Sequence, residues 1–542
     1  MPSTVDLASA LQALSDDALD RLVRRRQVPQ HAASYFDVAE HLLRAESIAT
    51  ALETLDVDEL ALVASGATTQ RLDDLGLGVA GTAFDEARRQ AAAAPTPADE
   101  PAPADDDPDA ESRAAERAFA TVLLVGEIVR AAAVQPVGLL ARGAVAMTDA
   151  RRLAEAFATD VESVLHAVAI ARGAGLLVLR DATLVASTTA DAWLAAPLAE
   201  RWSAARDAWL DGLDRAERAA ATASGVPHAR HPLAGTSVRE RLEVVATRAT
   251  LLGIRDGGAT TLAAPDGASV LARHVPAEVD RAYVQPDLSI VVPGPLVPAL
   301  EQRLRGVADL EQRGTASTYR MTHASLSRGL AAGEDEASIL ALLESLSLTG
   351  VPQPVAYLVR DAASRFGSVR VLELAEGPER TAVRGDAAVV AELAVDHGLA
   401  ALRMRQEGPG RLISRAEPAA VLGALRARRY PAALEDADGR LLAPVRHVAE
   451  PLAPAPTPLV QRLRGSGFDV GGEERAWLER RLQVAARERV SVQVRIEMGG
   501  EERELALLPL GVANGRLRAR DLTSDVERTL PVTAITHLTG VP

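Results

Sequence analysis

Apolar positions recur at helical spacing through residues 11–64, which predicts a helical N-terminal region. Ser15, Asp16 and Asp17 suit a helix start, and Arg21, Arg24, Arg25 and Arg26 suit its end, where cations meet the negative pole of the helix dipole. The same arginine cluster has a second reading as a nucleic-acid or partner contact. From 118 to about 210 the pattern is three helices, two short strands and a closing helix. Thr148 reads as the cap of DARRLAEAFA; VESVLHAVAIARGAG follows Thr159-Asp160, and LLVL and ATLVA are separated by Arg180-Asp181. That order is the order of a winged helix. Its second helix offers mainly Glu162, Ser163, His166 and Arg172 to solvent, a set that reads base edges poorly, so packing or protein contact is at least as good a role as a major-groove one. A second helix-plus-wing pattern spans about 238–272, with ATTLAAPDGASVLA as the wing.

The pattern then turns mixed. A strand at 288–292 stops at Pro293-Gly294-Pro295, and the next helix carries Leu296, Leu300, Leu304 and Val307 on one face. A strand at 317–321, helices within 323–346, a helix at 355–366 and a strand at 369–374 follow. Near the C-terminus a helix at 473–486 precedes four strands, SVQVRIEM, RELALLPL, RLRARDL and RTLPVTAI, which suggest a small barrel. Two stretches break the periodicity. The segment AAAAPTPADEPAPADDDPDAE (91–111) has prolines and acids and nothing large to bury, and prolines 444, 451, 454, 456 and 458 mark a second linker.

The expected fold class is therefore α+β and multidomain, mainly helical, with winged-helix units, a mixed α/β domain and a small C-terminal β-barrel-like domain. The expected partition is a helical domain at 1–90, an acidic linker at 91–115, a winged-helix-like domain at 116–232 and a second such unit at 233–274. The mixed domain takes 275–442, a Pro-rich linker 443–460 and the barrel 461–542.

Composition narrows the chemistry. All 59 Lys+Arg positions are arginine. Without lysine there is no P-loop lysine for nucleotide phosphates, no kinase lysine and no Schiff-base nucleophile. Without cysteine there is no disulfide, thiolate nucleophile or Cys-ligated metal. A net charge of −15 opposes tight non-specific binding along DNA, so any DNA contact is expected to be weak, salt-sensitive and local. The first residues lack a basic region followed by an apolar run, and no stretch is long and apolar enough to span a bilayer; a soluble cytoplasmic protein without membrane association is expected.

Motifs for catalysis are weak. Gly76, Gly78 and Gly81 satisfy a GxGxxG string, but it follows the polar, helical QRLDDL where the mechanism needs a strand. Gly465-Ser466-Gly467 reads as a hinge. His228 and His231 stand three apart with no third ligand at a recognisable spacing, and the acid pairs Glu334/Glu336 and Glu473/Glu474 read as helix starts. No HExxH or GxSxG occurs. No catalytic residue, cofactor-binding residue or metal ligand is assigned, and no enzymatic activity is expected. The arginines most suited to phosphate are Arg151 and Arg152, on the first helix of the winged unit, with Arg320 and Arg328 in the mixed domain. Each has the competing reading of ordinary solvated surface.

Two stretches resemble a known family. PVGLLARGAVAMTDARRLAEAFATD (136–160), with GAGLLV and WLAAPLAERWSAARDAWL after it, and YVQPDLSIVVPGPLVPALEQRLRGVADLEQRGTASTYRMTHASLSRGL (283–330), continuing through 351–371, are similar to actinobacterial helicase-associated proteins. These share a domain with the N-terminal region of XPB-type helicases and lack the motor. The VQPDL strand, PGPL stop, ADLEQRG turn and YRMTHASL junction carry the likeness in order. It implies a DNA-associated accessory role in repair or transcription, with an XPB-type helicase as partner, and transfers no catalytic residue. Arg320, Arg328 and Gln285 are the expected outward polar groups of this domain. The last segment, LLPLGVANGRLRARDLTSDVERTLPVTAI, is similar to the small barrel of WYL-type regulators, though the tryptophan and tyrosine of that name are absent. It supports the alternative of a ligand-sensing winged-helix transcription regulator.

Overall fold

The computed structural model describes residues 2–95, 107, 109–141, 143–314, 316–375, 377–428, 430–442, 446–451, 456–465, 470–498 and 501–539. Most of the acidic linker, the prolines at 444 and 454 and the glycine at 467 lie outside these residues. The fold is mixed α/β. It divides into two compact units, one of 1–102, 225–244 and 453–542, the other of 103–224 and 245–452.

The first unit joins both ends of the chain. Ser15 caps the helix Asp16–Arg25 by accepting from the Ala18 N–H. Arg24 and Arg25 lie in its last turn, as the helix-end reading expects, and Arg26 beyond it departs from both readings. It is 3% exposed and donates to the carbonyls of Leu42 (2.7 Å) and Leu75 (2.6 Å) and to Ser47 Oγ (2.8 Å). Burial, with Arg25 beside it, lowers its pKa to about 10. It is an internal brace. Leu19, Phe36 and Leu52 share one apolar core with Leu459, Leu482, Val494 and Leu507, so the two ends, expected as separate domains, bury a common interior. Phe36 stacks on Trp477 at 5.8 Å. Gly78 and Gly81 belong to a two-residue hairpin, Gly78–Val79 against Thr82–Ala83, after the short helix Gln70–Asp74.

The C-terminal strands make an open antiparallel sheet in the order Val526–Pro531, Arg516–Asp521, Glu501–Ala513, Val492–Met498, Ile535–Thr539. The barrel expectation needs correcting, because no ladder joins the two edge strands. Those edges are nonetheless consecutive in sequence, linked only through Val532–Ala534. Four Cα steps reach about 15 Å, whereas four flat inter-strand gaps span roughly 19 Å, so the sheet must curl.

The second unit starts with the long helix Ala110–Val134. Helices Met147–Ala156 and Val161–Gly173 follow, then an antiparallel hairpin of Leu177–Arg180 and Thr183–Ser187. Asp160 caps the second of these helices, accepting from Ser163 N at 2.7 Å. Thr148 does not cap the first. That helix begins at Met147, because Ala146 N bonds Gly138 O (2.8 Å) and Asp149 Oδ2 accepts from Gly138 N (3.0 Å), fixing the entry two residues earlier. The second wing is also corrected. After the helix Thr236–Leu251, residues 259–274 hold one bridge, Arg255↔Ala259, then the helical turn Thr261–Ala263 and the helix Gly267–His274. Pro265 has no N–H for a ladder. Arg206 also takes the carbonyls of Leu262 (2.8 Å) and Ala264 (3.0 Å) that pairing would need.

Two sheets complete the unit. The first is antiparallel, in the order Tyr283–Val284, Ser289–Val292, Ser317–Arg320, Asp309–Gln312. ADLEQRG is thus mostly a strand, and its reversal falls after Gln312. The second sheet has six strands; Val369–Glu373 lies between Thr381–Gly385, antiparallel to it, and Ala432–Glu435, parallel to it. Among the described residues no helix is long and apolar enough to cross a membrane.

Candidate functional site

The strand junctions of the four-stranded sheet converge on a cavity of about 710 Å³, which the second unit forms within itself. One wall is the reversal Gln285–Ser289. Gln285 N donates to Ser289 O (2.9 Å), and Ser289 Oγ lies 2.6 Å from Asp287 Oδ1 and 2.9 Å from Gln285 Oε1. This tight turn forces Leu288 to φ +73°, a region that a branched side chain seldom enters, and Leu288 O accepts from Met321 N (2.9 Å). The next wall is the strand-to-helix junction after Arg320. Thr322 caps the helix His323–Ala331, accepting from Ser325 N at 3.0 Å, while the buried Ser325 Oγ donates to Val307 O at 2.7 Å. The first residues of this helix therefore open onto the cavity.

Two helix ends supply the remaining sides. Arg365 lies in the last turn of Gln353–Arg365, and Arg426 in the last turn of Pro418–Ala427. Arg365 Nε pairs with Asp361 Oδ1 at 3.0 Å, and His323 Nε2 stands 3.8 Å from the other oxygen of the same carboxylate. Arg426 Nε donates to Ala432 O at 3.1 Å, and among the described residues this arginine has no carboxylate within ion-pair distance. Burial, then the charge of Arg328, lowers its pKa. Tyr430 bonds Asp396 Oδ2 (3.1 Å) through its hydroxyl, and burial with that bond pushes its pKa up to about 12. With the hydroxyl committed, the ring is what the residue offers the cavity. The lining holds Arg320, Arg365 and Arg426 with no Asp or Glu. Arg320 and Arg365 keep ion pairs with Glu311 and Asp361, so Arg426 is the lining charge without an acidic partner among the described residues, in a partly apolar cleft suited to a phosphate attached to something flat.

The residues singled out in sequence fall in different places. Arg320 lines the cleft, with Nε on Glu311 Oε1 (2.5 Å) and a second nitrogen on Asp287 O (3.0 Å). Gln285 is exposed in the adjoining turn and is held by Ser289. Arg328 donates to Asp309 Oδ1 (2.8 Å), Arg305 O (3.2 Å) and Ala308 O (3.3 Å). Arg152 pairs with Asp149 at 3.0 Å, and Arg151 is exposed on the same helix; neither lines the cleft. Arg365, Arg426, His323 and Tyr430 were not singled out. Both new arginines end helices, where the sequence signal is indistinguishable from a dipole-favoured surface charge.

A second charged cluster is buried. Arg305 grips Glu127 with two nitrogens (3.0 and 2.5 Å) and Glu301 with Nε (2.8 Å). Arg130 approaches both carboxylates at 3.5 and 3.4 Å. Glu127 and Glu301 are 6% and 7% exposed. Burial pushes the Glu301 carboxyl up, but Arg130, Arg305 and Arg201 outweigh it and hold it below its ordinary 4.5. Among the described residues no group of three or more His, Asp or Glu could hold a metal, and His228 Nδ1 lies 3.2 Å from Glu243 Oε1.

Residues 282–408 match the family described as the helicase conserved C-terminal domain. The chain therefore carries a helicase-associated domain over that stretch, which includes three walls of the cleft. No curated protein matches the chain.

Proposed function

We propose that this chain is a non-catalytic accessory protein, associated with DNA and acting with an XPB-type helicase in DNA repair or transcription. The observation that carries the reading is the helicase-related stretch 282–408, which supplies three walls of an arginine-lined cleft. The absence of lysine supports a non-catalytic role, because a nucleotide-driven motor of the P-loop kind needs its lysine on the β- and γ-phosphates. The test is co-purification of the tagged full chain with a helicase, followed by assay of that helicase with and without it. Association that changes the helicase's DNA-dependent ATPase supports the proposal, and DNA-dependent ATP hydrolysis by the purified chain alone overturns it.

A second reading is a ligand-responsive transcription regulator. It is favoured by the helix, helix and hairpin at 147–187, read as a winged helix, and by the curled C-terminal sheet. Selection of one duplex sequence from a random pool, with release by a small molecule, would favour it over the first.

A further inference from the structure

The cleft has chemistry that an accessory role does not by itself require. Three arginines from three separate elements line it, no carboxylate does, and Arg426 has its charge half-buried without an acidic partner among the described residues. Half-burying a cation without a counter-charge costs stability, and the left-handed Leu288 at the rim is strained as well. Both costs fall on one cavity, a pattern characteristic of sites that are completed by a ligand. The lining also holds Met321, Leu358 and the ring of Tyr430, which are apolar. A ligand that satisfies both kinds of lining carries a phosphate and a flat apolar face.

We infer that this cleft binds single-stranded nucleic acid, its arginines taking a backbone phosphate and its apolar lining receiving an unstacked base. A volume of about 710 Å³ accommodates one nucleotide unit but no duplex, and in a duplex the base faces are hidden in the stack. The start of the His323–Ala331 helix also lines the cleft. The inference rests on the nucleic-acid half of the function proposed above. A free nucleotide offers the same phosphate and base, and the experiment separates the two.

The full chain is titrated against a fluorescent oligothymidylate of about 20 nucleotides at salt concentrations of about 50 and 200 mM, with a melting curve for every variant. Arg365→Gln is expected to weaken binding about threefold and Arg365→Gln with Arg426→Gln at least about tenfold, since each removes a charged hydrogen bond to phosphate. Arg360→Gln, on the same helix and ion-paired like Arg365 but outside the cleft lining, is expected to change it less than about twofold. If the double variant fails to fold, Arg365→Gln decides, because that side chain is exposed and pairs within its own helix. Unchanged affinity in Arg365→Gln, or an equal loss in Arg360→Gln, overturns the site. Thymidine monophosphate or a phosphoserine peptide binding in an arginine-dependent way, with the strand not binding, overturns the assignment to a strand. Strand binding that ignores these arginines, or co-purification with a helicase without any strand binding, removes the site while leaving the accessory reading intact.

Discussion

Arg305 and Arg426 belong to one unit, and their surroundings are opposite. Arg305 holds two buried carboxylates with all three guanidinium nitrogens and stacks on Tyr319 at 5.6 Å. Arg426 makes one bond to a backbone carbonyl and faces a cavity shared with two other arginines. Both are arginines on the last turns of helices, yet the charge of Arg305 is consumed by the fold and that of Arg426 is left over. The difference is a matter of bookkeeping of partners, and it assigns roles that residue type alone cannot. Arg305 is held by the fold, whereas Arg426 is available to a ligand, beside Arg320 and Arg365, which keep ion pairs with Glu311 and Asp361.

The sharpest break in this comparison is Glu127→Ala. It leaves Arg305 and Arg130 to share Glu301 in a buried site, and it is expected to cost about 3–5 kcal/mol, read by denaturant unfolding. A cost below about 1 kcal/mol would show that the network is solvated and that the contrast with the cleft is false. Next comes acid. A carboxyl whose folded pKa is depressed stabilises the fold above its unfolded pKa and loses that contribution as pH falls through the folded value. Glu301 is such a group, so stability is expected to decline as pH drops below 4.5, and Glu301→Gln is expected to flatten that decline while lowering stability at neutral pH. A variant with an unaltered pH profile would remove Glu301 as the source.

Arg328→Ala sharpens the boundary between the two sets. Its bonds to the carbonyls of Arg305 and Ala308 and to Asp309 place it with the partnered group. It is expected to cost about 1 kcal/mol of stability with little change in binding of a single strand, compared by melting and titration on the same preparation. The smallest effect is expected at Arg151, exposed on its helix. Arg151→Ala should stay within about 0.5 kcal/mol in stability, and a loss of DNA affinity there would move the interface to the helix-and-hairpin region.

Local signals in the sequence carried much of the architecture. The hairpin at 177–187, the strand before Pro293, and the helix after Thr322 follow from apolar spacing, turn residues and a capping hydroxyl. Failures occurred where a distant group overrode a local rule. Arg206 claimed the carbonyls of the supposed second wing, and Asp149 and Gly138 reset the helix start at Met147. The union of the two chain ends was illegible for the same reason, since Thr457 N donates to Asp20 across more than four hundred residues. Of the candidate site, only Arg320 was legible in the place it occupies. Arg365 and Arg426 meet at the cleft because of how helices pack, and nothing in the periodicity around either one announces the other.

The central claim, that the cleft around the under-partnered Arg426 is the working face, is tested most directly by hydrogen–deuterium exchange of the full chain with and without saturating oligothymidylate. Protection is expected in the segments that wall the cleft, around 285–289, 320–328, 358–366 and 424–432, with the backbone around Glu127, Glu301 and Arg305 unchanged. Protection confined to another surface, or none at a concentration that saturates binding, would contradict it.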